Sequence, residues 1–319
     1  MSLRKILKQL NIFAECRKYG ITAWQCPNFL FVVMGLVIIT AILGTYYIGV
    51  HYVAPEIVVM IVVVVTTVLL LVGHTIVISF ERVVQANKMK SEFVSIVSHQ
   101  LRTPLSSLRW SLDLLRSKRL GQINKKQKEY LDIINESNKR MIGLVNDLLN
   151  VNRIEEGRLE VRPSSFSLDS LTEKVVEEIK PLAKDKGVNI DFYLEKKLPL
   201  VYADSNRVRM VIQNLIENAV KYSNKEIKSR FVKVRIERDE NKLRFSAEDN
   251  GIGIPSGLRK RVFGKFFRGD SLVKQRTEGT GLGLFISKGI IDLSGGEIGF
   301  KSKEGKGSTF WFTLPIKKT

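Results

Sequence analysis

Two long, uninterrupted runs of apolar residues lie in the first quarter of the chain. They extend from Phe29 to Val50 and from Ile57 to Phe80, and neither contains Asp, Glu, Lys or Arg. An α-helix needs about 20 apolar residues to cross a bilayer, and both runs reach that length. A buried core helix is the alternative, but it is the weaker interpretation at such lengths. We therefore predict a transmembrane hairpin over 29–80, preceded by a cytoplasmic segment over 1–28.

Basic residues flank this hairpin on one side only. Five Lys or Arg residues precede the first run and Arg82, Lys88 and Lys90 follow the second, whereas the connecting loop HYVAPE has none. This bias predicts a multi-pass protein of the cytoplasmic membrane, with both termini and the C-terminal domains in the cytoplasm. The net charge of +19 is spread along the chain without an aromatic-interleaved stripe. We therefore expect contact with anionic membrane lipid and no nucleic-acid partner.

Helical periodicity begins directly after the second run. No Gly or Pro lies between Phe80 and Pro104, so we expect the membrane helix to continue into the cytoplasm. After a polar turn at 121–124, a second helix carries apolar residues in alternating steps of four and three, a heptad seam. One such hairpin buries little, so we predict an all-α homodimeric domain over 81–160 in which two hairpins form a four-helix bundle. The seam consists of Tyr130, Ile134, Ser137, Met141, Leu144, Leu148 and Val151.

The remaining chain, 161–319, mixes two periodicities. Stretches with an apolar residue at every second position predict half-buried strands, and amphipathic stretches between them predict helices. Helices packed against mainly antiparallel strands form a two-layer α+β domain, which is the predicted architecture. The predicted helices are 168–186, 206–222 and 282–293, and the predicted strands are 188–194, 231–237, 242–248, 297–301 and 308–314.

The first candidate site is the stretch NLIENAVKY, 214–222, in a predicted helix. Asn214, Glu217, Asn218 and Lys221 fall on one face of that helix, and apolar residues fall on the other. Amide oxygens and a cation on one face suit a hard divalent metal ion that carries phosphates. A solvated polar face is an equally simple interpretation of this stretch taken alone.

The second candidate site is the turn DNGIGIP, 249–255. Asp249 ends a predicted strand, and Gly251 and Gly253 allow the backbone a tight turn. A buried carboxylate at this position can accept a hydrogen bond from an exocyclic amine such as that of adenine. Alone, however, Asp-Asn-Gly is only a turn signal.

The third candidate site is GTGLGL, 279–284, which leads directly into a helix. Gly279, Gly281 and Gly283 leave backbone N–H groups and the positive end of the helix dipole facing a ligand, which is typical of an anion site. Leu284 replaces the third glycine of the dinucleotide-binding motif, and no P-loop is present. A long loop over 262–278 precedes this turn and has the length of a functional lid, in which Arg268 offers a fork of donors to phosphate.

Taken in order, these stretches resemble the membrane-bound sensor histidine kinases of two-component signalling. The resemblance runs from about Lys88 to Pro315 and rests on SHQLRTPL, NLIENAVKY, DNGIGIP, VFGKFFR, GTGLGL and GKGSTFWFTLP. It implies a HisKA-type dimerisation and phosphotransfer domain, followed by an ATP-binding domain of the gyrase, Hsp90 and MutL type. The implied activity is Mg²⁺- and ATP-dependent phosphorylation of a histidine, followed by transfer of the phosphoryl group to an aspartate of a response regulator.

The resemblance also assigns roles to individual positions. His99 would accept the γ-phosphoryl group, Asn218 would ligate Mg²⁺, and Arg268 would neutralise the transferred charge. Asp249 would accept a hydrogen bond from the adenine amine. The other positions that the resemblance places near the nucleotide are Asn214, Lys221, Tyr222, Gly251, Gly253, Gly279, Gly281, Leu282, Gly283 and Thr309.

His99 is the residue on which this chemistry depends. Its helical neighbours Glu92, Ser95 and Thr103 are polar, which argues against a core role, and no second His or Cys lies at metal-ligand spacing. The family usually has an acidic residue directly after the histidine, whereas this chain has Gln100, which accepts a hydrogen bond but takes no proton. We expect autophosphorylation to be slower or to use another base. By resemblance, Thr103 would orient water for dephosphorylation of the regulator.

Two rival interpretations remain open. One is a kinase-deficient adaptor that dephosphorylates a response regulator, and its only support is Gln100. The other is a gyrase-type ATPase, against which His99 and the transmembrane hairpin both count. His74, inside the second apolar run, is either a signal input or a neutral ring that faces the other helix.

Overall fold

A computed structural model of the chain describes residues 27–52, 54–117, 119–195, 198–224, 226–267 and 280–316. Its contacts divide the chain into two compact units, Met1–Gln100 and Leu101–Thr319, and we describe each unit by itself. This division falls inside one long helix. The domain boundaries at residues 28, 80 and 160 therefore stay predictions from the sequence pattern.

Two apolar helices make up the described part of the first unit. Helix α1 spans Pro27–Tyr52, and helix α2 spans Pro55–Arg116 and is 62 residues long. Their most apolar windows have mean hydropathies of 2.0 and 2.8, so both helices are long and apolar enough to cross a membrane by length and composition. Helix α2 continues without a break past Phe80, as the absence of Gly and Pro predicts.

Small residues lie where α1 and α2 touch. A Cβ atom on Gly49 would lie 2.7 Å from Cγ1 of Val58, and one on Gly73 would overlap the side chain of Met34. Threonine hydroxyls in both helices donate to the carbonyl four residues earlier, that of Thr40 at 2.8 Å. These hydroxyls need no water, and close packing at glycine is how helices associate in lipid.

The second unit begins with a helical hairpin, formed by the end of α2 and by α3, Lys125–Glu155. A capping box fixes the start of α3: the side chain of Asn124 accepts from the backbone N–H of Gln127 at 2.8 Å, and that of Gln127 accepts from Asn124 at 2.9 Å. Across the hairpin, Asn138 donates to the carbonyl of Leu105 at 3.1 Å. Local capping and a few long-range polar contacts thus define the hairpin.

The predicted seam of α3 is only partly covered. Tyr130, Ile134, Met141 and Leu144 are each more than 40% exposed in the single chain. Val151, the last residue of the seam, is instead buried in the core of the C-terminal domain. The apolar stripe that remains in water is long enough to pack against another helical hairpin.

The C-terminal part of this unit is a five-stranded sheet covered by helices. The elements are α4 (Leu168–Asp185), α5 (Ser205–Lys221) and α6 (Gly283–Leu293), with strands β1 (Ser164–Phe166), β2 (Val188–Leu194), β3 (Val201–Ala203), β4 (Arg230–Asp239), β5 (Lys242–Asp249), β6 (Glu297–Lys303) and β7 (Gly307–Pro315). The sheet order is β2-β4-β5-β7-β6, with β2 and β4 parallel and the other pairs antiparallel. Strands β1 and β3 form a separate antiparallel pair. This is the predicted two-layer α+β architecture.

Alternation within the strands decides which face the helices cover. In β5, Leu243 and Phe245 are fully buried, and Phe245 stacks on Phe312 of β7 with ring centroids 4.8 Å apart. The apolar face of α5 joins this core, and its members Val208, Val211, Ile212, Leu215 and Ile216 are inaccessible to solvent. Because α5 is held rigidly by one face, its opposite, polar face has a fixed position beside the sheet.

Candidate functional site

A cavity of about 560 Å³ lies between α5, α6 and the turn that follows β5. Its lining includes Asn214 and Asn218 of α5, Asp249 at the end of β5, and Gly281 and Gly283 at the start of α6. Pockets for small molecules commonly have volumes of about 300–1,000 Å³. Residues from three separate stretches of the sequence therefore meet in one cavity of ligand size.

Asp249 is the buried carboxylate of this cavity. It is 7% exposed, and its Oδ1 accepts hydrogen bonds from the backbone N–H of Gly251 at 2.8 Å and of Ser308 at 3.3 Å. Burial raises the pKa of Asp249 to about 6; the two backbone donors oppose this rise, and the charge of Glu248 adds to it. No residue that the structure describes donates to Oδ2. An open, poorly hydrated carboxylate oxygen is a strong acceptor for a ligand N–H group.

The turn after β5 requires glycine at two positions. A Cβ atom on Gly251 would overlap the carbonyl oxygen of Tyr222, and one on Gly253, whose φ is +67°, would overlap that of Lys303. The turn is tied to the end of α5, since the N–H of Ile252 donates to the same Tyr222 carbonyl at 3.1 Å. The buried carboxylate and the asparagine face of α5 are therefore fixed relative to each other.

The two asparagines of α5 have different surroundings. Asn214 donates from Nδ2 to the hydroxyl of Ser287 at 3.0 Å, and its Oδ1 accepts from Nδ2 of Asn218 at 3.2 Å. Gly283 lies directly against it, because a Cβ atom there would overlap Oδ1 of Asn214. Asn214 is thus engaged within the protein. The Oδ1 of Asn218 accepts no hydrogen bond from the described part of the chain and is available to a ligand.

A cation at the end of α5 adds positive charge to the cavity. Lys221 and Tyr222 both line it, and Nζ of Lys221 lies 3.3 Å from the hydroxyl of Tyr222 and 4.8 Å from its ring centroid. The ammonium group is therefore held beside the polar face of α5 and favours an anionic ligand.

The glycine turn before α6 forms another wall of the cavity. Gly281 has a φ of +70°, and a Cβ atom there would lie 2.8 Å from the carbonyl oxygen of Phe267. The hydroxyl of Thr280 accepts from the N–H of Leu282 at 3.1 Å. Helix α6 begins at Gly283 without a side-chain cap, so its first N–H groups are available to an anion.

Some of the residues predicted from the sequence do not line the cavity. Thr309 does not, whereas its neighbours Ser308 and Phe310 do, because side chains alternate along β7. Two other predicted residues lie next to the cavity without lining it. The backbone N–H of Gly251 donates to Asp249, and the side chain of Leu282 is buried in the core. Arg268 and Gly279 lie outside the described residues.

His99 and Gln100 are exposed on α2, in the first compact unit, and Thr103 is exposed further along the same helix. The neighbouring Ser98 is fully buried, so the helix presents His99 away from its packed side. The imidazole has no hydrogen-bond partner among the residues with described placement, and no cluster of three metal-binding side chains occurs among them. This histidine is therefore a solvent-accessible group and not a core residue.

The sequence did not indicate that Asp147 of α3 belongs to the cavity. Asp147 lines it, and its Oδ2 accepts a hydrogen bond from the hydroxyl of Thr280 at 3.0 Å. Burial raises the pKa of Asp147 above its ordinary value, and the Thr280 hydrogen bond opposes the rise. In the sequence it is one polar residue among many on a long helix, so no local signal distinguishes it.

Two family models match the chain. The histidine kinase-, DNA gyrase B-, and HSP90-like ATPase family matches residues 203–318, and the His Kinase A (phospho-acceptor) domain matches residues 89–157. Together they cover more than half of the 319 residues. The cavity lies within the first of these matches, apart from its contact with α3, and His99 lies within the second. The fold and the cavity therefore define an ATPase domain of the gyrase and HSP90 type, joined to a phospho-acceptor domain.

Individual relatives give the same result. The chain is similar to the sensory/regulatory protein RpfC of Xanthomonas campestris pv. campestris, with 36% identity over 238 residues, 72% of this chain and 32% of the relative. It is similar to the sensor histidine kinase AruS of Pseudomonas aeruginosa, with 35% identity over 237 residues, 72% of this chain and 23% of the relative. Full-length ShkA in complex with AMPPNP superposes with a TM-score of 0.60 and 29% identity, over 72% of this chain and 46% of that one. The chain belongs to the sensor histidine kinases of two-component systems, and it spans about a third or less of the length of these two curated relatives.

Proposed function

We propose that this chain is a protein-histidine kinase that transfers the γ-phosphoryl group of ATP to His99 and then to an aspartate of a separate response regulator. The observation that carries the proposal is one cavity that combines an open buried carboxylate, Asp249, with a glycine-lined helix start at Gly281 and Gly283. The accessible imidazole of His99, within a phospho-acceptor domain, supplies the acceptor.

The carboxylate would select adenine among the purines. Oδ2 of Asp249 accepts, so it suits the exocyclic amine of adenine and opposes the carbonyl oxygen that guanine carries at the same position. The phosphates of the bound nucleotide would lie against the uncapped N–H groups of α6, near the ammonium group of Lys221.

A magnesium ion fits the donor set of α5. Asn218 would hold it through Oδ1, because this oxygen is available, while Asn214 would orient Asn218 through their hydrogen bond of 3.2 Å. Mg²⁺ prefers few protein ligands and takes the rest from phosphate oxygens and water, so a single amide oxygen is sufficient. When bound, Mg²⁺ would neutralise charge on the phosphate oxygens.

The transfer itself is an in-line displacement. A ring nitrogen of His99 forms a bond to the γ-phosphorus, the bond from that phosphorus to the β,γ-bridging oxygen breaks, and ADP leaves. The proton lost from the imidazole passes to a base, which Gln100 is not, because its amide only accepts a hydrogen bond. Arg268, in the predicted lid, would neutralise the transferred charge, and Gly279 would complete the phosphate cradle. Thr103 would serve a phosphatase activity toward the regulator.

The membrane and the dimer complete the proposal. Helix α1 and the apolar part of α2, within 29–80, would cross the cytoplasmic membrane, with the basic flanks and the domains 81–160 and 161–319 in the cytoplasm. Lys and Arg near the membrane would contact anionic lipid. The exposed seam residues of α3 would pack against a second copy to form a four-helix bundle.

The test is phosphorylation of the full chain in lipid nanodiscs with γ-labelled ATP and Mg²⁺. The chain has three histidines, so the double variant His51→Ala/His74→Ala is a matched control that leaves only His99. We expect acid-labile, alkali-stable label on the wild type and on this control, and none on His99→Ala.

The other outcomes separate the rivals. An adaptor without kinase activity would give no label on any variant, and a gyrase-type ATPase would release free phosphate at a rate that His99→Ala does not change. Retained label on His99→Ala would refute the assigned acceptor. Binding of a fluorescent ATP analogue by His99→Ala checks that loss of label is not loss of the nucleotide site.

A further inference from the structure

Helix α3 contacts the catalytic domain along a single face. Asn150 accepts from the guanidinium of Arg207 at 3.4 Å, Val151 is 4% exposed in the shared core, and the side chain of Ile154 lies 2.8 Å from where a Cβ on Gly289 would be. The residues of this face follow a spacing of three and four, which places them on one side of a helix: Asp147, Asn150, Val151, Ile154 and Glu155. We call these five residues the docking face.

Asp147 is the one member of the docking face that also lines the cavity. Its partner Thr280 directly precedes the glycine turn, and the same Thr280 hydroxyl accepts from the N–H of Leu282. A chain of hydrogen bonds therefore runs from Asp147 through Thr280 to the start of α6. That is where the phosphates of a nucleotide would bind, since the first N–H groups of α6 have no side-chain cap.

A carboxylate at this position opposes the binding of phosphates. Like charges in a partly desolvated cavity repel more strongly than in water. The uncapped backbone donors of the turn attract the phosphates, whereas Asp147 holds the same segment through Thr280. The ion pair between Glu155 and Lys265, at the other end of the docking face, holds the domains together without lining the cavity.

We propose that Asp147 is a latch that couples nucleotide binding to release of the catalytic domain from α3. Without nucleotide it holds the Thr280–Gly281 segment against α3, and the phosphates of ATP compete with it for that segment. The inference rests on the proposed function and adds a regulatory residue to it. Because coupling between two events is reciprocal, a contact that nucleotide weakens must itself weaken nucleotide binding.

The alternative role for Asp147 is a ligand of the magnesium ion, and it predicts the opposite sign. A metal ligand would strengthen binding of Mg²⁺-ATP, and its loss would weaken binding only when the metal is present. A latch weakens binding of the phosphates with or without the metal. The two roles are therefore separated by affinities measured in Mg²⁺ and in EDTA.

The experiment measures the affinities of ATP, ADP and adenosine for the full chain in nanodiscs, in a His99→Ala background so that no phosphoryl group is transferred. Asp147→Asn keeps an oxygen for the Thr280 hydroxyl and removes the charge. We expect ATP to bind about tenfold more tightly to this variant, within the range of about 5- to 150-fold that allosteric coupling spans. ADP should gain less, and adenosine should be unchanged.

Glu155→Gln is the matched control, since it removes a charge from the docking face away from the cavity. Because it also loosens the docking of the domain on α3, it should raise the affinity for ATP only slightly, by less than Asp147→Asn does, and leave the affinity for adenosine unchanged. Hydrogen exchange of 147–155 supplies the structural readout: ATP should raise it in the His99→Ala parent, and Asp147→Asn should show raised exchange without nucleotide.

Unchanged or weaker ATP binding by Asp147→Asn would overturn the latch, as would a gain that is equal for ATP and adenosine. If the parent chain bound none of the three ligands, the proposed function itself would fail, which is a distinguishable result.

Discussion

Replacing Asp249 with asparagine is expected to weaken nucleotide binding and, at neutral pH, to stabilise the nucleotide-free protein. The side chain keeps its shape, and its amide oxygen can still accept from Gly251 and Ser308. In place of Oδ2, however, the cavity receives an NH₂ donor, which faces the donor amine of adenine. Losing a hydrogen bond to a charged acceptor costs about 1.5–3 kcal/mol, so ATP should bind about 10- to 150-fold more weakly.

The stability effect follows from the raised pKa of Asp249. In the native state this pKa is about 6, against an ordinary value of 3.8, so the native protein holds the proton more tightly than the unfolded chain. As the pH rises from about 4 to about 6, the unfolded chain ionises first and the free energy of unfolding falls; above this window the deficit stays constant. The shift corresponds to about 3 kcal/mol, without a discount for solvent because the group is buried.

Comparing two pH values isolates this electrostatic contribution. At pH 4 the native Asp249 and its replacement are both largely neutral, so differences in shape and hydrogen bonding cancel between the two pH values. The unfolded chain, with a pKa of 3.8 at this position, is already more than half ionised at pH 4, so part of the effect is present there. The stability of Asp249→Asn relative to the wild type should therefore be about 2.5 kcal/mol greater at pH 8 than at pH 4. Hydrogen exchange of peptides from β4 and β5, corrected for intrinsic exchange rates, measures it in the core of the domain.

If the difference in stability between Asp249→Asn and the wild type did not change with pH, the burial of an ionised carboxylate at position 249 would be refuted. Unchanged ATP affinity would refute its contact with the base. A change in ATP affinity with the expected pH-dependent stability would support both halves of the reasoning. The affinity for a second ligand, GTP, should differ less between the variant and the wild type than the affinity for ATP does. The reason is that the new NH₂ donor of the asparagine suits the guanine carbonyl.

Three further predictions test other parts of the protein. Gly253→Ala, which places a Cβ in a left-handed turn against backbone, should cost about 3 kcal/mol or more of stability by thermal unfolding, whereas Gly257→Ala, which meets open space, should cost less than about 1 kcal/mol. Gln100→Glu, which supplies a base, should raise the initial rate of autophosphorylation at least about tenfold with unchanged ATP affinity; a slower variant would contradict the missing-base argument. Met141→Glu, in the exposed seam, should shift the solubilised protein toward monomer in light scattering, while Glu136→Lys, beside the seam, should not.

Most of the secondary structure could be predicted from local pattern. The strand over 188–194 coincides with β2, and the other predicted helices and strands of the C-terminal part agree with the structure to within two residues at each end. Alternation and caps are local, so they can be detected without knowing the fold. Strands β1 and β3 were not predicted, because a three-residue strand is too short to show a period. Their register, with Phe166 opposite Val201, depends on pairing across a distant part of the chain.

The candidate site was predictable wherever backbone geometry demands a particular residue. Gly251 and Gly253 are needed because a side chain at either position would overlap backbone atoms. A requirement of this kind is visible in the sequence as a glycine at that position. The contact between Asp147 and Thr280 leaves none, since the two residues are 133 positions apart and each is ordinary in its own surroundings. A hydrogen bond between an aspartate and a threonine places no restriction on the neighbours of either residue.

The seam of α3, predicted as one surface, is divided in the structure into an exposed part and a part buried in the catalytic domain. Leu144 is 47% exposed and suited to a second hairpin, whereas Val151, two helical turns later, is 4% exposed in the core of the catalytic domain. The same heptad spacing therefore leads from the proposed dimer face into the docking face that contains Asp147. Because both faces belong to one rigid helix, a rotation or shift of α3 relative to its partners changes the packing of both at once. Helix α3 would thus respond both to a signal that arrives through the helices and to a nucleotide that competes with Asp147.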